Sequence, residues 1–335
     1  MTDVGETQTS AASLGPLVSV VIPTYNRAHL LADALQSVAA QTWRPLEVIV
    51  VDDGSTDDTR AVFDRWAAGS GPDITARFEE QEHQGGNAAR NLGISKAQGD
   101  FVAFLDSDDL WKPSKIARQI EGLIARRDAG ASYCGIEEVE IGSDAAPYNP
   151  TRPYPEGDIS KLLLVSDVTA PTSCYVVARS VLEAAGGFDE ALRARQDWDL
   201  WIRVSLATQI LAVPEALTVL RNHSGPRTIS DPQRELTAHQ AILAKYASQR
   251  KQAGRRVERG AMSAFHRRAG RVNFHHIKNT KAAVGHYLRA IWWSPLTMNN
   301  YFALVGTVLP AQGRKRLNRA WNAVFGRTGL RISSH

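Results

Sequence analysis

Short runs of consecutive apolar residues alternate along the chain with longer segments whose apolar positions recur every three or four residues. Val18-Ser19-Val20-Val21-Ile22-Pro23 reads as a buried strand. The segment from about Ala28 to Gln41 then sets Leu30, Leu31, Ala34, Leu35 and Val38 on one side of a helix. Leu46 to Val51 is a second buried strand, and Ser55-Thr56-Asp57-Asp58 offers an N-cap and first-turn acids for a helix to about Ala68. Ile74 to Glu80 is a weaker third strand, Gly85-Gly86-Asn87 opens a helix through about Ala97, and Phe101 to Asp106 is a fourth strand. Pro113 suits the first turn of the helix after it. The alternation predicts an α/β fold: a mostly parallel, Rossmann-like sheet with helices on both faces.

The pattern changes after Asp128. Ala131 to Ile141, Val168 to Ala178 and Leu217 to Arg221 read as extended, with a helix around Trp198 to Ala207. The Pro/Gly-rich stretch Gly142 to Asp158 reads as a loop. From about Asp231 the chain is helical and basic. The expected organisation is a tail over 1–16, an α/β domain over 17–228 divided near 128, and a basic helical region over 229–335.

Composition narrows the class. With 335 residues, 43% hydrophobic and 22% charged, the chain is an ordinary globular protein. Cys134 and Cys174 form no metal-ligand spacing and imply no disulfide framework. Met1 to Pro16 is polar and Ser/Thr-rich, lacks the regions of a signal peptide, and is expected to be disordered. No apolar run reaches the roughly 18 residues of a spanning helix. The net charge of +4 conceals an asymmetry: residues 1–244 carry 21 Lys/Arg against 34 Asp/Glu (−13), and residues 245–335 carry 18 against Glu258 alone (+17). Such a region suits an anionic partner: a membrane surface, a pyrophosphate-bearing lipid, nucleic acid or the acidic body itself. No recognition motif accompanies the charge, so nucleic acid is set aside. Trp292, Trp293 and Tyr301 amid apolar residues, followed by Arg314-Lys315-Arg316 and Arg319, suit an anionic membrane surface; packing against the body is the alternative.

The chemistry concentrates where apolar strands empty into acids. Phe101 to Leu105 runs into Asp106-Ser107-Asp108-Asp109, and Leu46 to Val51 into Asp52-Asp53-Gly54-Ser55. One such group is ordinarily a solvated turn. Two in one sheet, at the strand ends where open α/β sheets bind ligands, point to a crevice for a nucleotide and for Mg²⁺ or Mn²⁺.

Val18 to Arg27, Val51-Asp52-Asp53-Gly54-Ser55-Thr56-Asp57, Gly85-Gly86-Asn87-Ala88-Ala89-Arg90-Asn91, Phe104 to Asp109, Gly186-Gly187-Phe188-Asp189-Glu190 and Gln196-Asp197-Trp198-Asp199-Leu200-Trp201 resemble successive motifs of glycosyltransferase family 2. The resemblance covers about residues 17–225. It implies the nucleotide-diphospho-sugar transferase (GT-A) fold, with 17–128 as nucleotide-binding part and 129–228 as acceptor part. It also implies metal-dependent, inverting transfer of a sugar from a nucleotide donor, UDP-linked in the family pattern matched, to a lipid-linked or glycan acceptor. The setting implied is bacterial-type surface polysaccharide or glycolipid synthesis, in the cytoplasm or on the inner face of its membrane.

By that resemblance Pro23, Thr24, Tyr25 and Asn26 lie at the nucleotide, Tyr25 offers a stacking face, and Asp53 accepts the N3–H of the base. Asp52 supports the turn. Asp108 is the metal ligand, Asp106 serves the ribose or a metal-bound water, and Asp109 orients them. Arg90 reaches the nucleotide or diphosphate from a helix whose start, at Gly85 and Gly86, suits anions. Asp197 is the base that deprotonates the acceptor, its carboxyl pushed up by Trp198, Leu200 and Trp201. The family has Glu-Asp where this chain has Gln196-Asp197, which drops a charge beside the base. His223 matches a late position that approaches the metal or diphosphate. Two rivals remain. A nucleotidyltransferase calls for a Gly-rich basic loop where Pro23-Thr24-Tyr25-Asn26 stands, and a catalytically degenerate sugar- or nucleotide-binding module sits poorly with intact Asp106, Asp108 and Asp197.

Overall fold

The computed structural model describes residues 15–142, 147–148, 153–222, 231–310, 312–314 and 316. The N-terminal half runs β1 (Val18–Thr24), α1 (Ala28–Ala39), β2 (Leu46–Asp52), α2 (Thr59–Gly69), β3 (Ile74–Glu80), α3 (Gly86–Lys96), β4 (Phe101–Phe104), β5 (Leu110–Trp111) and α4 (Lys115–Ala125). Then follow β6 (Ala129–Glu140), α5 (Ser160–Leu163), a 3₁₀ turn (Thr172–Cys174), β7 (Tyr175–Ala178), α6 (Arg179–Ala185), α7 (Gln196–Ala207) and β8 (Gln209–Asn222). The helical region comprises α8 (Pro232–Lys245), α9 (Ala247–Ala253), α10 (Arg255–His275), α11 (Thr280–Trp293) and α12 (Met298–Val308).

All eight strands form one sheet in the order β3-β2-β1-β4-β7-β6-β8-β5. The β3-β2-β1-β4 half is parallel, as the alternation predicts. The other half is mixed: β7 runs antiparallel to β4 and β6, β8 parallel to β6, and β5 antiparallel to β8. This half departs from the mostly parallel expectation because its strands are not joined by regular strand–helix crossovers.

Other boundaries move for local reasons. Of Val168 to Ala178 only β7 is a strand, since Thr172–Cys174 turns on Pro171 to reach the sheet. Leu217 to Arg221 is the end of one 14-residue strand, irregular opposite Cys134–Ile136. The fourth strand stops at Phe104, two residues before Asp106, and the helix expected at Pro113 starts at Lys115. Residues 1–14, residues 143–146 and 149–152 of the 142–158 loop, His223, Lys315 and Arg319 lie outside the described residues.

Alternate side chains of the parallel strands enter different cores, as the pleat requires. Val18, Val20 and Ile22 pack with Leu31 and Leu35 of α1 and Ile116 and Ile120 of α4. Val21, Ile49 and Val51 face α3 and α7, whose Trp198 and Trp201 are fully buried. Glycine permits the close approach of α3: a Cβ at Gly93 would stand 2.4 Å from Val21 Cγ1. Ile242, Tyr246 and Val257 of the helical region join this same core, so the region is seated on α7. Cys134 and Cys174 are buried free thiols.

Candidate active site

The parallel strands end on one edge. Thr24 pairs with Asp52 and Asp52 with Glu80, while Phe104 lies level with Val21, so the chain after β4 runs out beside the β1 turn. Asn26, at φ +50°, stitches the loops after β1 and β2 together. Its N–H donates to Ser55 Oγ at 2.8 Å and its Oδ1 accepts from Thr56 N–H at 2.8 Å. Asp57 Oδ2 accepts the Ala28 N–H at the start of α1, 2.9 Å away. Asp52 accepts from Ser55 N–H at 3.1 Å, the turn support expected of it. Pro23 and Thr24 are buried under this edge, whereas Tyr25 is exposed and stacks on His83, centroids 4.2 Å apart. His83 has no signal in the sequence; the β3–α3 loop delivers it.

Asp53 is 3% exposed and its carboxylate is already saturated. Oδ1 accepts from Gln81 Nε2 at 2.7 Å and Gln84 N–H at 2.8 Å; Oδ2 accepts from Gly85 N–H at 2.9 Å and lies 2.9 Å from His83 Nδ1. A carboxylate has about four lone-pair sites. Asp53 therefore holds the 81–85 loop in place, and a contact to a base requires a partner to leave. His83, whose side chain is 59% exposed, is the one able to do so.

Asp106, Asp108 and Asp109 each offer an oxygen within 4.8 Å of the others. Two arginines counter this charge: Arg90 reaches Asp106 at 2.5 Å and Arg27 reaches Asp108 at 2.8 Å. Arg221 donates to the Asp108 carbonyl at 2.7 Å and pairs with Asp33 at 2.7 Å, bracing the acid turn against α1. Ser173 donates to Asp109 Oδ2 at 2.6 Å and its oxygen accepts the Asp106 N–H at 3.1 Å, so one buried hydroxyl sets the turn. Burial, with Asp106 and Asp108 beside it, pushes the Asp109 carboxyl well above the usual range. Three hard oxygen donors converging at one strand end fit a divalent cation of the Mg²⁺ or Mn²⁺ type. Arg27, Arg221 and Ser173 were not legible as site residues; Ser173 arrives from a turn 64 residues after Asp109.

Asp197 lies in the first turn of α7 behind Arg195, which adopts φ +56°. It is half-buried, accepts the Trp198 N–H at 2.8 Å, and stands within electrostatic reach of Arg90 and Asp106. Burial raises its pKa, with Asp106 adding to the rise; the Trp198 N–H, Arg195 and Arg90 oppose it. Gln196 Oε1 is buried and accepts no hydrogen bond among the described residues. A glutamate with that placement would bury an unpaired charge, so the neutral amide costs less here.

Helix α3 ties both halves of the site together. Arg90 pairs with Asp106, while Asn87 Nδ2 donates to the carbonyls of Asp189 and Leu192 at 3.1 and 3.0 Å. Asn91 brackets Phe188, accepting its N–H at 2.7 Å and donating to its carbonyl at 2.9 Å. Gly187, at φ +69°, makes the clasp possible, because a Cβ there would sit 2.6 Å from Asn91 Oδ1. Asp199 faces away from Asp197, as helical spacing requires, and is fully buried against Arg203, Lys245 and Tyr246.

A family model described as Glycosyl transferase family 2 matches residues 19–183. An uncharacterised glycosyltransferase of Rickettsia typhi is 33% identical over 219 residues, 64% of this chain and 66% of its own length. A putative teichuronic acid biosynthesis glycosyltransferase of Bacillus subtilis, TuaG, is 40% identical over 192 residues, 56% of this chain and 71% of its own. The match thus spans just under two thirds of the Rickettsia protein. Among solved structures, S. aureus TarS 1–349 in complex with UDP-GlcNAc superposes with a TM-score of 0.59 at 19% identity, covering 93% of this chain and 87% of that one. At that identity the likeness establishes the shared fold.

Proposed function

The chain belongs to glycosyltransferase family 2, and on that premise we propose that it is an inverting, metal-dependent glycosyltransferase using a nucleotide-diphosphate sugar, UDP-linked by the pattern at Tyr25 and Asp53. Its acceptor is a lipid-linked or glycan hydroxyl in surface polysaccharide or glycolipid synthesis, reached from the cytoplasm; the teichuronic acid biosynthesis named for the putative enzyme TuaG supports this reading. Residues 17–128 are assigned to the nucleotide and 129–228 to the acceptor, and α8 to α12 form the helical region that follows.

The observation that carries this reading is the placement of Asp197. A carboxyl of raised proton affinity stands within electrostatic reach of Arg90 and of Asp106 in the acid cluster. Tyr25 and His83 form the platform for the base, with Pro23, Thr24 and Asn26 shaping the strand end beneath it. Asp53 accepts the base N–H on exchanging its His83 contact. Asp108 and Asp106 hold the cation, and Asp109 with Ser173 fixes their orientation; His223 is assigned to the same ion or the diphosphate by motif position alone. A bound Mn²⁺ or Mg²⁺ supplies positive charge to the departing diphosphate. Arg90 shares that task. Asp197 takes the proton of the acceptor hydroxyl as its oxygen bonds to the anomeric carbon; the bond to the diphosphate breaks on the opposite face with its electron pair, inverting the centre. A groove of about 470 Å³ lies between Ala191–Arg193 and Arg234, Thr237 and Ala241 of α8; its place beside the loop before Asp197 supports assigning it to the acceptor's approach.

The test is a screen of nucleotide sugars for release of nucleoside diphosphate with Mn²⁺, with Mg²⁺ and with chelator. Metal-dependent release that Asp197→Asn slows supports the proposal; no release from any nucleotide sugar, with or without glycan and polyprenyl-phosphate acceptors, overturns it.

A further inference from the structure

Helices α11 and α12 form a hairpin whose outer surface is apolar and open. Trp292 is 67% exposed, Leu296 in the connecting turn 94%, and Met298 at the start of α12 60%. Leu288 stands one turn before Trp292 on α11, and Tyr301, Val305 and Val308 continue from Met298 along one stripe of α12, all exposed. Single exposed apolar residues are ordinary, but a contiguous patch marks an interaction surface.

The patch is held rigidly. Asn300, fully buried, donates to Ser263 Oγ at 2.9 Å and to the Ala290 carbonyl at 3.0 Å, and accepts from Arg267 at 3.2 Å, locking α12 onto α10 and α11. Charge indicates what covers the patch. No Asp, Glu, Lys or Arg occurs from Ala290 to Gly313, while Arg289 and Arg314 close this neutral stretch and residues 245–335 carry +17. Arg259 donates to the Trp292 and Trp293 carbonyls at 3.0 and 2.8 Å, placing a guanidinium beside the apolar tip. A second copy meeting this face through the same face would set that positive charge against itself. An anionic bilayer satisfies both features, taking the apolar tip at its headgroup boundary and the arginines at its phosphates. No helix among the described residues is long and apolar enough to cross a membrane.

We propose that the α11–α12 hairpin is a docking surface for an anionic lipid bilayer, with Trp292, Leu296 and Met298 entering the headgroup–acyl boundary. The inference is independent of the reaction assigned to the cleft, and its test reads no activity. The whole chain is mixed with vesicles of phosphatidylglycerol and phosphatidylcholine, or of phosphatidylcholine alone, at low and raised salt. Binding is expected to rise with phosphatidylglycerol and fall with salt. Leu296→Asp, and separately Trp292→Ser, should weaken it by about tenfold or more, with melting temperature unchanged. Three results overturn the proposal: no binding to anionic vesicles at low salt, equal binding by folded Leu296→Asp and Trp292→Ser, or lipid-free self-association in sedimentation equilibrium that Leu296→Asp abolishes.

Discussion

Lys245, in the last turn of α8, reaches Asp199 of α7 at 2.8 Å and Asp189 at 2.7 Å. One ammonium thereby ties the helical region both to the helix that carries Asp197 and to the loop that leads into it. Asp199 is fully buried, with Arg203 at 2.7 Å and the Tyr246 hydroxyl at 2.8 Å as further partners. Such a carboxylate is tolerated only while its partners stay.

Removing it should be costly. Asp199→Ala leaves the Arg203 guanidinium without its acid and Lys245 with Asp189 alone, and is expected to destabilise the protein by about 3–5 kcal/mol. Lys245→Met should cost only about 1 kcal/mol, because the lysine is 38% exposed and water screens its pairs. Urea unfolding followed by tryptophan fluorescence checks both. An Asp199→Ala protein with the wild-type midpoint would remove the hub role.

The acid cluster predicts a different pattern, in which function falls and the fold survives. Asp108 is paired with Arg27 at the surface of the cleft rather than packed in a core. Asp108→Asn should melt within a few degrees of wild type yet lose turnover by about 100-fold or more, the equivalent of roughly 3 kcal/mol of charge stabilisation. Chelator should silence the wild type, with Mn²⁺ or Mg²⁺ restoring it. Undiminished turnover by chelated enzyme would sink the metal assignment.

Asp197 couples activity and stability with opposite signs. Its pKa is raised above 3.8, so the folded state binds its proton more tightly than the unfolded chain does. Ionising it therefore costs stability as pH rises from the ordinary carboxylate range through the raised value, and the cost persists at neutral pH. Asp197→Asn should lower transfer by ~10²–10⁴-fold while raising the melting temperature at neutral pH, the gain vanishing toward pH 3. In the wild type the acidic limb of kcat/KM should lie above the usual carboxylate range. A variant less stable than wild type at neutral pH would contradict the desolvated placement.

At the base platform the effect should fall on binding. Tyr25→Ala removes one ring of the Tyr25–His83 stack, and a lost base–aromatic contact is worth about 1–3 kcal/mol. The donor KM should rise about 5- to 150-fold with kcat little changed. Isothermal titration with the nucleoside diphosphate gives the same answer without turnover, and unchanged affinity would remove Tyr25 from the platform.

Much of this was legible in the residues because it depends on local order. Consecutive apolar runs such as Val18–Ile22 and Leu46–Val51 can only be buried strands here, and the 3.6-residue spacing of Leu31, Ala34, Leu35 and Val38 can only face a sheet, so the parallel half and its acid-tipped edge follow from the chain itself. The acids of the Asp106–Asp109 turn cluster because four successive residues at a strand end share one turn. The charge division between 1–244 and 245–335 is likewise a property of the sequence, whatever the fold.

Tertiary structure alone decided which distant residues meet. Ser173 sets the acid turn, His83 stacks on Tyr25, Asn91 clasps the loop before Asp197, and Lys245 anchors Asp199, each across dozens of residues with no periodicity to announce it. Asp53, expected to accept the N3–H of a base, is hydrogen-bonded to the 81–85 loop through the Gln81 amide and the Gln84 and Gly85 N–H groups, because a buried carboxylate must be hydrogen-bonded and only folding brings these donors to it. The mixed half of the sheet and the open face of Trp292 and Leu296 were decided in the same way. Strand direction and exposure depend on which surfaces remain when every element has packed, and that is a property of the assembled chain.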